Sequence, residues 1–316
     1  MNYDKKEFGS YLLKGQLREA MNYLKSCPEK KEWLEGYINI FENGEYYPRT
    51  DNEVLGLIDN IYQKYYRNIF WNEVSDKEAE YQLFNELWVH CGSNPELQKD
   101  ETIEDEIAKI VNAEGYEFLG GSTQGFFGPY IWKSSTKVTY DVELPTGIQP
   151  YTIVMMDGFI SRSWLDFLSF GNSGVGGWAD DNGMLYCVKS SYDNKEENVF
   201  QISFLKHEAQ HAYDKNKYKD ISSTQLEYRA KLVELIYWPD AEKIKYILME
   251  ADNSNPDNSH SVAAYRIINT LSSKIFECEY MDNEKEWVKK IDDVKAKAFD
   301  VLMESNNELE QYLVEH

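Results

Sequence analysis

The chain has 316 residues with 55 acidic against 33 basic side chains, a formal net charge of -22 that repels phosphate backbones and anionic lipid and so argues against nucleic-acid and membrane partners. A hydrophobic share of 42% suffices for a buried core, and the polar opening Met1-Asn2-Tyr3-Asp4-Lys5-Lys6-Glu7 resembles neither a signal peptide nor a membrane span, which predicts a cytoplasmic protein. Cys27, Cys91, Cys187 and Cys278 form no CxxC pair and read as free thiols rather than a zinc ribbon or redox motif.

Over residues 7–91 apolar side chains recur at helical spacing: Tyr11, Leu12 and Leu17, then Met21 and Leu24, then Trp33, Tyr37 and Ile40. Leu55, Ile58, Ile61, Tyr65 and Ile69 continue the pattern, and Tyr81, Leu83, Leu87 and Trp88 mark another helix. The spacing predicts a helical N-terminal lobe over residues 1–92, closed by the breaker Gly92-Ser93-Asn94-Pro95, and a second domain over 93–316. That domain begins with a helix over 103–113. Residues 137–144 alternate with period two and predict a strand, 145–150 a turn, and 151–156 a second strand. A short helix near 164–170, a glycine-rich stretch over 174–179, the hairpin turn Asp181-Asn182-Gly183 and a strand over 184–188 complete a sheet spanning about 120–190. From about residue 196 to 316 the pattern is helical. Helices, sheet and helices in that order predict an α+β fold, mostly α-helical, with a small mixed or antiparallel sheet.

The segment Leu205-Lys206-His207-Glu208-Ala209-Gln210-His211 contains His-Glu-x-x-His. On a helix, side chains four apart share a face, so His207 and His211 can reach one metal ion while Glu208 flanks its open position as a general base. Val199, Ile202, Leu205, Ala209 and Ala212 form the apolar stripe of such a helix, uninterrupted by Pro or Gly. The pattern suits Zn2+, which in a catalytic site takes three protein ligands and one water.

The third ligand is sought on the helix that returns after His211. With about 1.5 Å of rise per residue, a helix opened by Ser222, Ser223 or Thr224 brings Glu227 level with the histidines. The competing reading is a capping box, because Thr224-x-x-Glu227 has that spacing. Glu234, two turns later, is an alternative ligand or an acceptor for a ligand imidazole, and Cys187 is a rival ligand that its apolar strand makes a buried thiol.

With these motifs, residues 174–268 resemble the gluzincin, or thermolysin-like, metallopeptidases, a zincin group with His-Glu-x-x-His and a downstream Glu. The order Gly176-Gly177-Trp178-Ala179, Asn182-Gly183 and Met184-Leu185-Tyr186 is similar to the edge strand, turn and returning strand that precede the zinc helix in that family. The resemblance implies that Gly176, Gly177, Trp178 and Ala179 pair with an extended peptide or protein substrate. It also implies an oxyanion donor on a later helix, for which His260 and Tyr265 are the candidates. The chain departs from the pattern in its short segment between His211 and Glu227 and in Lys231, which stands where the family has Asp. Three functions stay open: a zinc metallopeptidase, a metallopeptidase-like regulatory or toxin-type protein with a single partner, and a non-catalytic zincin scaffold. No nucleophile elbow, P-loop or dinucleotide fingerprint offers competing chemistry.

Overall fold

The computed structural model describes residues 3–72, 74–91, 100–256 and 258–315. The chain divides into two units interleaved in sequence, one of residues 1–134 and 156–175 and one of residues 135–155 and 176–316. The breaker expected at residues 92–95 lies outside the described residues.

In the first unit the helical spacing of residues 7–91 becomes α1 (Lys5–Leu13), α2 (Leu17–Lys25), α3 (Lys31–Tyr37), α4 (Glu53–Phe70) and α5 (Asp76–Cys91). A wide π-helical turn, Ile38–Glu42, continues α3. Asn52 fixes the start of α4 by accepting the Leu55 N–H at 3.0 Å, which satisfies an amide with no helical partner. Leu12, Met21, Tyr37, Ile58, Tyr65 and Leu87 turn inward as their spacing requires, whereas Tyr81, expected on the same apolar pattern, is exposed. There follow α6 (Glu104–Ala113), β1 (Glu117–Leu119), the small β2 (Ser122–Thr123) and β3 (Phe126–Phe127) pair, and α7 (Ser163–Leu168). Arg49, half-buried, forms ion pairs with the buried Asp59 of α4 and Asp166 of α7, so these interior carboxylates are paired rather than lone charges.

β4 (Tyr130–Leu144) and β5 (Gly147–Arg162) are longer than the expected strands over 137–144 and 151–156, and the turn between them shrinks to two residues. Tyr130 to Trp132 and Ile153 to Met156 are consecutively buried, so both faces are covered there and the period-two signal that marks a half-exposed strand is missing. Each unit takes part of this hairpin. The sheet order is β1-β4-β5-β7-β6, which leaves β6 (Gly177–Ala179) at an edge beside β7 (Leu185–Val188).

The second unit adds α8 (His207–Lys217), α9 (Ser223–Tyr237), α10 (Glu242–Glu250), α11 (Ser259–Phe276), α12 (Glu284–Lys289) and α13 (Ile291–Glu315). Its core runs through Met155, Leu185, Phe204, Leu232, Ile267 and Trp287, the last donating its indole N–H to the Met281 carbonyl at 2.9 Å. With 59% helix against 15% strand, in a curled mixed sheet and a small antiparallel one, the fold is α+β and mostly helical. Among the described residues no helix is long and apolar enough to cross a membrane.

Candidate metal centre

The helix expected to run unbroken through the His-Glu-x-x-His motif changes character at His207. Val199–Lys206 is π-helical and α8 begins at the first histidine. Bonding from i to i+5 widens the turn and re-phases the residues before the motif. Ile202, Leu205, Ala209 and Ala212 are buried as the stripe required, but Val199 is rotated out and is 50% exposed. From His207 onward the spacing is α-helical, and the two imidazoles stand together with ring centroids 4.6 Å apart and planes at 90°.

α9 supplies the third group. Ser222 is its cap: the Ser222 hydroxyl accepts the Gln225 N–H at 3.2 Å and the Gln225 side chain accepts the Ser222 N–H at 3.3 Å. The capping box is therefore Ser222 with Gln225, and the Thr224–Glu227 reading is corrected. Its physical reason is register, since a helix beginning at Ser223 puts Glu227 in the second turn, beyond the unpaired amides. Glu227 Oε1 lies 3.3 Å from His211 Nε2 and Oε2 lies 3.7 Å from His207 Nε2. One donor atom from each of His207, His211 and Glu227 falls within 4.8 Å of the others, and all three residues are buried. A tetrahedral ion with bonds of about 2.0–2.1 Å sets its donors about 3.3 Å apart, so these separations suit a metal ion.

No protein-family model matches this chain, and no curated protein and no solved structure matches it. The chemistry of the site rests on its own atoms.

Glu234 completes the surroundings. Its Oε1 is 2.7 Å from His207 Nδ1, which leaves Nε2 of the same ring facing Glu227. The Ser203 hydroxyl donates to Glu234 Oε2 at 2.7 Å and Lys243 forms an ion pair with the same oxygen. Burial pulls the His207 pKa down, but the hydrogen bond and charge of Glu234, with Glu227 and Glu208, reverse it and raise it to about 9. Burial likewise pushes Glu234 up, and His207 and Lys243 overcome that to hold it at about 2. For Glu227, burial is outweighed by His211, His260 and His207, and its carboxyl lies well below the usual range. Each carboxylate therefore stays ionised, as a ligand and its acceptor must be. His211 Nδ1 is buried without a hydrogen-bond partner.

Glu208 is half-buried, and among the described residues its carboxylate has no hydrogen bond or ion pair. His260, at the start of α11 behind the Asn258 cap, is half-exposed with Nδ1 3.0 Å from Glu227 Oε2. Tyr265 is placed differently: its ring stacks on Tyr280 at 5.3 Å, and it lines a cleft with Tyr228, Arg266 and Glu304. Lys231 is buried one turn after Glu227 and pairs with Glu250 at 2.7 Å. Cys187 is fully buried in β7, where burial pushes its thiol up to about 12.

The edge strand lies against the motif helix. The Val188 N–H donates to the Gly176 carbonyl and the Asp180 N–H to the Met184 carbonyl, both at 2.9 Å, in register with Trp178 opposite Tyr186. Alternation then turns the peptide groups of Gly177 and Ala179 to the open side. Of these, the Ala179 carbonyl accepts a hydrogen bond from Lys215 Nζ at 3.0 Å. A side chain at Gly177 would collide with the Phe204 ring and the Tyr186 carbonyl, so glycine is required by the close approach of strand and helix. The sequence did not single out Ser203, Lys243, Asp214 or Arg229. Ser203 is four residues before His207, which was a usable signal; Lys243 comes from another helix, and nothing local marks it.

Proposed function

We propose that this chain is a zinc metallopeptidase of gluzincin type, with His207, His211 and Glu227 as ligands and Glu208 as general base. The observation that carries the reading is the convergence of two imidazoles and an ionised, buried carboxylate, together with the Glu208 carboxylate, which follows His207 in sequence and has no hydrogen bond or ion pair among the described residues. Two nitrogens and one oxygen from buried side chains suit Zn2+ with one position left for solvent. Bound there, zinc would lower the pKa of its water towards about 7 and polarise a scissile carbonyl.

The protein's own groups do the rest. Glu234 holds the His207 ring in the orientation a ligand needs, and Ser203 and Lys243 hold Glu234. Glu208 takes the proton of the attacking water and returns it to the leaving amine. His260, the exposed imidazole at the rim, stabilises the oxyanion, while Tyr265 faces another cleft and is left without this role. Gly177 lies on an edge strand with its peptide groups turned away from β7, whereas the Ala179 carbonyl is held by Lys215; the edge at Gly177 favours an extended peptide substrate, and the cytoplasm is the setting this reading assumes.

Metal analysis of carefully purified wild type beside His211→Ala, with cleavage of an unfolded polypeptide in parallel, tests the proposal. We expect about one zinc per chain and chelator-sensitive cleavage in wild type, and neither in the variant. A wild type that binds zinc but cleaves nothing would favour the scaffold or single-partner readings. One that binds no zinc would remove the ligand set.

A further inference from the structure

A cavity is lined wholly by residues of the first unit. Its volume is about 310 Å3, with aromatic walls from Trp33, Tyr46, Tyr47 and Phe170. Trp33 and Tyr47 each stand edge-on to Phe170, with centroids 5.7 Å apart in both pairs and planes at 81° and 78°. Phe170 adopts φ +49°, a left-handed conformation that a bulky aromatic rarely takes and that costs free energy. The Gly171 N–H bonding to the Asp166 carbonyl at 2.8 Å and the packing of Tyr37 at 4.7 Å hold it there. Gly36 forms part of the lining because a Cβ at that position would come within 3.0 Å of the Phe170 ring. The π-helical turn carrying Asn39 and Ile40 contributes the rest of the wall, and such turns recur at functional sites.

Two acidic residues, Glu32 and Glu45, line the same cavity. Both are exposed, and among the described residues neither carboxylate has an ion pair or hydrogen bond. The Trp33 indole also accepts a cation from outside the cavity lining, since Lys30 Nζ lies 5.1 Å from its ring centroid. Ring faces and free carboxylates together attract a cation, and a chain of net charge -22 adds to that attraction. The cavity has no imidazole and no buried carboxylate to replace the hydration shell of a metal ion. Aromatic walls instead suit a weakly hydrated organic cation, for which desolvation is inexpensive.

We infer that the Trp33–Tyr46–Tyr47–Phe170 cavity binds an alkylated ammonium group, carried either by a free quaternary ammonium compound or by an N-methylated lysine side chain. The inference does not depend on zinc or on peptidase activity.

The test follows tryptophan indole N–H signals of the full chain by NMR during titration with choline and with its neutral isostere 3,3-dimethylbutan-1-ol. Choline is expected to bind and the neutral alcohol to bind more weakly. Trp33→Leu should weaken choline binding about 3- to 30-fold, the range of one cation–π contact. Glu45→Gln, an exposed change that spares the walls, should weaken it and flatten its salt dependence. Titration with N-acetyl-trimethyllysine amide separates the two sources: tighter binding than choline assigns a modified peptide, and weaker binding a free cation. Equal binding of choline and the alcohol, no binding of either cation at millimolar concentration, or wild-type affinity in both variants overturns the inference.

Discussion

Glu208 and Glu227 are two carboxylates with different surroundings, and that difference predicts different mutant behaviour. Glu227 is buried among three imidazoles, whereas Glu208 has no hydrogen bond or ion pair among the described residues. Glu208→Gln is expected to keep the metal and lower peptide hydrolysis about 100-fold or more, the usual scale for a general base. Zinc content measured beside turnover checks it, and retained turnover removes Glu208 from the mechanism. Glu227→Ala should shed zinc, while Glu234→Ala should weaken zinc binding about 10- to 100-fold, because Glu234 orients His207 without reaching the ligand nitrogens. A zinc titration of the two variants separates the roles, and the reverse order would make Glu234 the ligand. The metal-free protein also carries a pH signature. Folded His207 sits at about 9 against 6.5, so its stabilisation is complete below about 6.5 and is lost as pH rises through 9. Glu234 sits at about 2 against 4.5, so its contribution is present above about 4.5 and is lost as pH falls through 2. Thermal melts of chelator-treated protein should therefore show these contributions together between about pH 4.5 and 6.5. A midpoint equally high at pH 9.5 would show that the His207–Glu234 pair does not stabilise the fold.

Helices α8 and α9 bring His207, His211 and Glu227 together, and a buried ion pair fixes their relation. Asp214, three residues after His211, accepts two hydrogen bonds from Arg229, two residues after Glu227, both at 2.8 Å and fully buried. Arg229 continues to Ser305 and Asn306 of α13, and Gln210 donates to Asp214 at 2.9 Å. Removing one partner leaves an unpaired interior charge, so Arg229→Met should cost about 3–5 kcal/mol of stability. Ser222→Ala, which removes only the α9 cap, should cost about 0.5–2 kcal/mol and leave zinc binding unchanged. Denaturant unfolding of both variants beside zinc titration checks the contrast, and a Ser222→Ala protein that sheds zinc would mean the cap also sets the ligand geometry. The motif histidines were legible because a spacing of four works on any α-helix. Glu227 was legible only as a position on a returning helix, since the run Ser222-Ser223-Thr224 offers three hydroxyl caps and only the fold selects Ser222. The π-helical entry was not legible, because its apolar residues fit an ordinary α-helical stripe until Val199 is seen to point outward.

Across the whole chain, the order helices, sheet, helices was readable, and its division into interleaved units was not. Long-range pairing creates that division: β4 and β5 form one hairpin with residues in both units, and alternation marked only the half-exposed parts of those strands. Net charge, by contrast, needs no fold to be read. At -22 the molecule attracts cationic solutes over distances set by the Debye length, roughly 8 Å at physiological salt and 30 Å at 0.01 M. Under the peptidase reading the edge strand would add no strong discrimination of its own, because strand pairing recognises backbone rather than side chains. If the peptidase reading holds, charge should therefore appear in encounter rather than in turnover. The kcat/KM for a lysine-rich peptide is expected to fall several-fold as salt is raised from about 0.01 to 0.5 M, with kcat nearly constant and a neutral peptide of equal length little affected. Parallel salt series on the two peptides check this. A fall of equal size for both would trace the effect to the metal centre or to stability, and a flat response for both would mean that the acidic surface serves solubility and does not guide substrate.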